Sequence, residues 1–268
     1  MYISENTRFV KKHLKKISIF KGQELALIQK GIPMKRQIII PFICALFSVA
    51  LFSACDDGSS APEEPVDTFD AAVVCPADGM NAYGEPNRGT FTDARDGQVY
   101  KYTSIGNQVW MAENLKFDAP YSLCYGKIEG FCDTFGRFYS LHVNGEYFEQ
   151  FDQELLDTIC PAGWHVPSVD EWSVLINNMG GPQKALSRLY SSSDFGDSFI
   201  KSTDDCKFNS LPAGIWLMDG NVASENVVSA YWTSSAKDVK TAFDCAFNYN
   251  GITFGTHHPK MTIRCIKD

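Results

Sequence analysis

The chain reads as an α+β protein, and three observations predict it. β-prone runs lie at both ends of the region beyond residue 95, helix-period runs fill its middle, and no internal repeat appears. The elements follow in order. Residues 75–95 are irregular, punctuated by Gly79, Gly84, Pro86 and Gly89, with room only for short strands. Asp96-Gly97 is a turn signal. Residues 98–105 and 108–115 then flank Gly106-Asn107, the pattern of a β-hairpin. Cys124 and Cys132 lie eight apart around Gly126 and Gly130, a spacing that suits a local disulfide. Residues 136–141 form a short apolar-aromatic run, and residues 146–158 look helical.

The best-defined element begins at Ser168. Ser168 and Glu171 have capping-box spacing, in which each side chain satisfies the other residue's free backbone N–H. Trp172, Leu175, Ile176 and Met179 fall at i, i+3, i+4 and i+7 on one helix face. Gly180-Gly181-Pro182 ends that helix, and residues 183–190 suit a second, shorter one. Further strands are expected over residues 215–218, 230–234, 241–249, 252–255 and 260–266, with Asn250-Gly251 as a hairpin turn. Met261, Ile263 and Cys265 alternate with Thr262, Arg264 and Ile266, which predicts one buried face on the last strand.

Upstream lies a different pattern. Met34-Lys35-Arg36-Gln37 is basic, and residues 38–52 are almost wholly apolar. That run has the length of a signal-peptide core and is short for a membrane span. Ser53-Ala54-Cys55 closes it. The order resembles the lipobox of bacterial lipoproteins, with Phe52 where leucine is usual. The resemblance implies cleavage before Cys55, a lipid on Cys55, and a membrane partner. The expected organisation is a leader over 1–33, outside a protein whose translation begins at Met34, and a signal over 34–54. A flexible acidic tether over 55–72 and a folded region over 73–268 follow.

Of 24 Lys+Arg and 32 Asp+Glu, residues 1–54 hold 9 and 2, which leaves 15 and 30 and a formal charge of −15 beyond them. Such a surface repels phosphate backbones, so nucleic acid is excluded as a partner. Seven cysteines follow Cys55, with no C-x-x-C pair. Outside the cytoplasm they would form disulfides. Cys160, Cys265, Cys124, Cys132, Cys206 and Cys245 are candidates, and an odd count leaves at least one thiol free or paired with another chain.

Several blocks carry a family resemblance. They are Asp96-Gly97-Gln98-Val99-Tyr100, residues 105–115, 132–141 and 160–172, Leu211-Pro212-Ala213-Gly214, Tyr231-Trp232-Thr233-Ser234-Ser235 and Arg264-Cys265-Ile266-Lys267-Asp268. In this order they resemble the Fibrobacter succinogenes major paralogous domain family over about residues 85–268. The resemblance implies a secreted or surface lipoprotein of the cell envelope, at the outer membrane or cell surface. Gly163-Trp164-His165-Val166-Pro167-Ser168 with Glu171-Trp172 also resembles C-type-lectin-like and formylglycine-generating-enzyme-like folds. There such a run opens a helix packed on a twisted antiparallel sheet. That likeness implies one lectin-like domain, with Cys160 paired to Cys265.

Motifs with chemical potential read blandly. Glu85-Pro86-Asn87 matches the sugar-selecting tripeptide of calcium-dependent lectins, but it precedes the first hairpin and lacks a following Trp-Asn-Asp, so it reads as a turn. Adjacent His257 and His258 would point to opposite faces of a strand and read as a loop pair. His165 reads as a structural hydrogen-bonding residue. Glu146, Glu149 and Glu154 read as an exposed helix face, and Asp204, Asp205 and Asp238 as solvated surface. Trp110, Trp164, Trp172, Trp216 and Trp232 read as core. No catalytic set, cofactor site or metal site is expected. The expected role is binding or display, with a polysaccharide or envelope protein as target, on loops such as 144–148 and 219–229. Two alternatives are a formylglycine-generating-type oxidoreductase acting on exported proteins, through Cys245 and Cys265, and a purely structural envelope component.

Overall fold

Asp70 caps the first described helix, α1 (Ala71–Val74), in a computed structural model that describes residues 67–125, 130–145, 149–191, 201–217, 219–224, 227–256 and 260–268. The expected leader, signal, Cys55 and most of the tether lie outside the described residues. The tether is expected to reach residue 72, but chain from Asp67 onward packs on the folded part. The Phe69 ring lies under the Arg188 guanidinium at 4.0 Å, and Asp67 pairs with Arg188 and Lys184. Ala71 and Val74 pack beside Phe69 on the same core.

Strand β1 (Arg88–Thr92) pairs antiparallel with β2 (Val99–Ile105), which turns into β3 (Gln108–Met111). Ile105 stands opposite Gln108, so Gly106-Asn107 is the two-residue turn. Gly106 takes φ 58°, and a Cβ there would meet Asn178 Nδ2 at 2.5 Å, so glycine is required twice over. Residues 112–115, expected in the strand, leave it after Met111.

Helix α2 (Phe131–Phe135) and a single 3₁₀ turn (Val143–Gly145) follow. The run at 136–141 makes isolated pairings only, Phe138 with Leu123 and Tyr139 with Met261. Helix α3 (Gln153–Thr158) is shorter than expected because Asp152 starts it late: its carboxylate accepts from Leu155 N at 3.0 Å. Glu146 lies outside the described residues; Glu149 and Glu154 are exposed. Strand β4 (Trp164–His165) leads into α4 (Val169–Asn178), where both halves of the Ser168–Glu171 capping box are formed. Trp172, Leu175, Ile176 and Met179 are all buried. Pro182 does not merely stop α4; it opens α5 (Pro182–Leu189).

The C-terminal part holds β5 (Ile215–Trp216), β6 (Val222–Ala223), β7 (Ser229–Asp238), β8 (Thr241–Asn248), β9 (Gly251–Gly255) and β10 (Ile266–Lys267). The β8–β9 turn is Tyr249-Asn250, one residue earlier than expected, because Asn248 Oδ1 accepts from Asn250 N at 2.9 Å and starts the reversal. Among the described residues the antiparallel sheets run β1-β2-β3-β10-β4, β5-β6 and β7-β8-β9. Four strand spacings would separate β1 from β4 by about 19 Å if the first sheet were flat. Yet Phe91 of β1 stacks on Trp164 of β4 at 4.4 Å, so the sheet curls over one face.

Two cores result. Ile105 and Trp110 face one, with α4, α5, Phe208, Tyr231 and Phe247. Tyr100, Tyr102, Val109 and Met111 face the other, with Trp164, Trp232, Met261 and Ile263. Residues 260–266 are expected to bury one face. Both are buried: Met261, Thr262, Ile263, Arg264 and Cys265 are all 0% exposed, because this segment runs between β3 of the first sheet and β7 of the third. Among the described residues no helix is long and apolar enough to cross a membrane.

Candidate functional site

Among the described residues three places are candidate sites. The first is the entry to α4. His165, on β4, has Nδ1 at 2.6 Å from Asp268 Oδ1 and Nε2 at 2.8 Å from Glu171 Oε1. The hydrogen bond to Glu171 foremost, and that to Asp268, raise the His165 pKa against the opposing effect of burial. Partial burial pushes the Glu171 carboxyl up, but bonds from His165 and from Ser168 N and Oγ outweigh it and hold the pKa at about 2. The result is an imidazole ring held between two carboxylates that favour its charged form, with both ring nitrogens occupied. Ser168 Oγ donates to Glu171, not to His165, so no serine–histidine couple is assembled.

The second is Arg264, a fully buried cation that its sequence pattern places on an ordinary strand. Nε donates to Asn114 Oδ1 at 3.0 Å, Nη1 to the Phe208 and Met111 carbonyls, and Nη2 to Asn114 Oδ1 and Asn209 O. The guanidinium also lies 4.6 Å from the Phe208 ring and 5.5 Å from Tyr231. Amide and carbonyl oxygens thus replace water around the charge. The loop that supplies the Phe208 and Asn209 carbonyls is strained: Asp204, Lys207 and Asn209 take φ 45°, 56° and 55°. Asp204 is expected on the surface, yet it is 4% exposed. Burial lifts its pKa to about 6, although Asn209 N donates to it. Asp205 is half-buried, and Asp238 is exposed.

The third is an open groove of about 270 Å³ lined by Phe117, Ala119, Pro120, Leu155 and Ile159, with Asp152, Glu154 and Thr158 at its rim. Arg95 fixes its walls. Its guanidinium stacks on Phe117 at 3.9 Å, pairs with Asp93 at 2.7 Å, and donates to the Thr158 and Ile159 carbonyls at the end of α3. Nothing in the spacing of Arg95, Phe117 and Thr158 announces this groove.

The cysteines form three pairs: Cys75–Cys206, Cys124–Cys132 and Cys160–Cys265. Cys206 takes Cys75, which was not a candidate, and Cys245 is left as a buried thiol. Burial foremost, with Asp244 beside it, pushes that thiol's pKa well up, the opposite of a reactive cysteine. Cys265 is bound to Cys160, so Cys245 and Cys265 are not a free thiol pair here.

Glu85 pairs with Lys267 at 2.5 Å and Asn87 Nδ2 donates to Asp78 O at 2.6 Å, so both polar members of the lectin-like tripeptide are engaged inside the fold. His257 and His258 lie outside the described residues. Among the described residues no group of three or more His, Cys, Asp or Glu is arranged to hold a metal ion. Trp110, Trp172 and Trp232 are 0% exposed, Trp164 is buried, and Trp216 is half-buried against Tyr125 and Phe138.

These features define a cystine-bearing α+β protein with antiparallel sheets and a capped helix at its centre. The chain belongs to the Fibrobacter succinogenes major domain family, whose model matches residues 103–267. No curated protein and no solved structure matches the chain.

Proposed function

We propose that the chain is a non-catalytic lipoprotein of the cell envelope, anchored through Cys55, whose single lectin-like domain binds polysaccharide. The groove on Phe117 carries this reading. An apolar floor with a carboxylate and hydroxyl rim matches a sugar ring, which offers one C–H face and a fringe of hydroxyls. The lectin-like assignment draws support from the helix opened by Trp164 to Trp172 against antiparallel sheets. The extracytoplasmic placement draws support from three disulfides, which persist in oxidising compartments.

The test is a glycan array with plant-polysaccharide pull-down. Retention on a glycan, lowered about tenfold by Glu154→Lys on the exposed rim, is the expected result. Retention on no glycan removes the carbohydrate target and leaves an envelope protein, read as one stoichiometric partner on co-purification. Separately, Cys55→Ser should move the chain from the membrane fraction to the soluble fraction.

A further inference from the structure

Only one of the three disulfides meets solvent. Cys75, Cys206, Cys160 and Cys265 are at most 5% exposed, whereas Cys124 is exposed and Cys132 partly so. The exposed pair also closes the shortest loop, its partners 8 residues apart in sequence against 131 and 105. A cation stands at one of its sulfurs: Arg137 Nη1 donates to Cys124 Sγ at 3.4 Å. The guanidinium is aimed by Asp118, at 2.5 Å from Nη2, and by Ser122 Oγ, at 3.0 Å from Nε. Asp118 is 78% exposed, so water screens part of its charge, and the remainder still offsets the guanidinium it touches. A neighbouring guanidinium stabilises a thiolate, and the sulfur that makes the more stable thiolate is the faster leaving group in exchange.

We propose that Cys124–Cys132 is a thiol–disulfide exchange site that accepts electrons from a dithiol of another protein, with Arg137 stabilising Cys124 as the leaving thiolate. A thiolate of the dithiol attacks Cys132 Sγ. The Cys124–Cys132 bond breaks, its electron pair stays on Cys124 beside Arg137, and a mixed disulfide joins Cys132 to the partner. The partner's second thiol, deprotonated by solvent, attacks the partner sulfur of that bond. Cys132 leaves as a thiolate, and both cysteines take up protons from water. Two electrons have moved: the partner dithiol is oxidised to a disulfide and this pair is reduced to two thiols.

The experiment treats the native chain with dithiothreitol as the dithiol, quenches with an alkylating reagent, and maps labelled cysteines by mass spectrometry. Cys124 and Cys132 should label at least tenfold faster than Cys75, Cys206, Cys160 and Cys265, with the near-ultraviolet circular dichroism unchanged. Arg137→Gln should slow that reduction several-fold and Arg137→Lys should restore most of it. Asp118→Asn, at an exposed position, should speed it by removing the offsetting charge, and this keeps the test decisive if Arg137→Gln unfolds. Reduction of all three pairs together, or a rate unmoved by Asp118→Asn, would overturn the proposal.

Discussion

At the scale of single residues, two titratable groups make opposite demands on pH. His165 has a folded pKa above its ordinary 6.5, so its contribution is full below 6.5 and is lost as pH rises through the folded value. Glu171 has a folded pKa of about 2 against an ordinary 4.5, so its contribution is full above 4.5 and is lost as pH falls towards 2. The clamp's contribution is therefore full only between about pH 4.5 and 6.5, and it fades above that as pH climbs through the raised histidine pKa. His165, Glu171 and Asp268 are 39%, 31% and 61% exposed, so solvent screening holds the net effect to roughly 0.5–1 kcal/mol. Melting temperatures at pH 5.5 and 8.5 should differ less in His165→Gln than in the parent protein. Asp204 behaves differently. Its folded pKa of about 6 exceeds the ordinary 3.8, so the fold favours the neutral acid; stability is fullest below 3.8 and falls as pH rises through 6. An asparagine side chain at this position would keep the acceptor for Asn209 N and tolerate the positive φ without carrying a charge. Asp204→Asn should stabilise by roughly 1–3 kcal/mol at pH 8 and by nothing at pH 3.5, measured by urea unfolding.

At the scale of elements, local rules are most legible where the determining contacts lie within a few residues. The capping box is the clearest case, because Ser168 and Glu171 satisfy each other's backbone without help from elsewhere. Ser168→Ala should lower stability by about 1 kcal/mol, read as a shift in the urea midpoint at constant slope. The Gly106-Asn107 turn and the α4 face are equally readable. Two kinds of element are not. Strand β1 and the two-residue β4 exist only because partners from β2 and β10 supply their hydrogen bonds, and no pattern within residues 88–92 or 164–165 records that. Residues 260–266 alternate apolar and polar side chains, which predicts a half-exposed strand. The segment instead lies between two sheets, and Arg264 is tolerated inside because Asn114 and three carbonyls converge on it. Asn209 lies 55 residues away in sequence and Asn114 lies 150, beyond any local reading. The groove is illegible for the same reason, since its lining comes from two segments, residues 117–120 and 152–159, joined by Arg95.

At the scale of the whole molecule, the long-range sulfur bridges divide the work. Cys75–Cys206 lies in the core that includes α4, α5 and Phe247; Cys160–Cys265 lies in the core that includes Trp164, Trp232 and Met261. Each holds one end of the folded chain: the first fixes the turn after α1, the second the approach to β10. The chain-entropy model assigns about 4–5 kcal/mol to a bridge of either length, and about 2–3 kcal/mol to the short Cys124–Cys132 loop, with native strain subtracting. Removing the pairs one at a time, both cysteines to alanine, should therefore cost more at either long bridge than at Cys124–Cys132. Cys160→Ala with Cys265→Ala has a further consequence. The β10 segment pairs with β3 and β4 through Ile266 and Lys267, so without the staple the sheet's join to Trp164 rests on these two residues and the Asp268 contacts to Gly163 and His165. That variant should lose roughly 3–5 kcal/mol in non-reducing urea titrations. Its dependence on urea should steepen, because the unfolded chain, freed of a 105-residue loop, exposes more surface. Loss of stability at an unchanged slope would mean that the bridge acts on the folded state alone, through packing around Trp164, and not by restricting the unfolded chain.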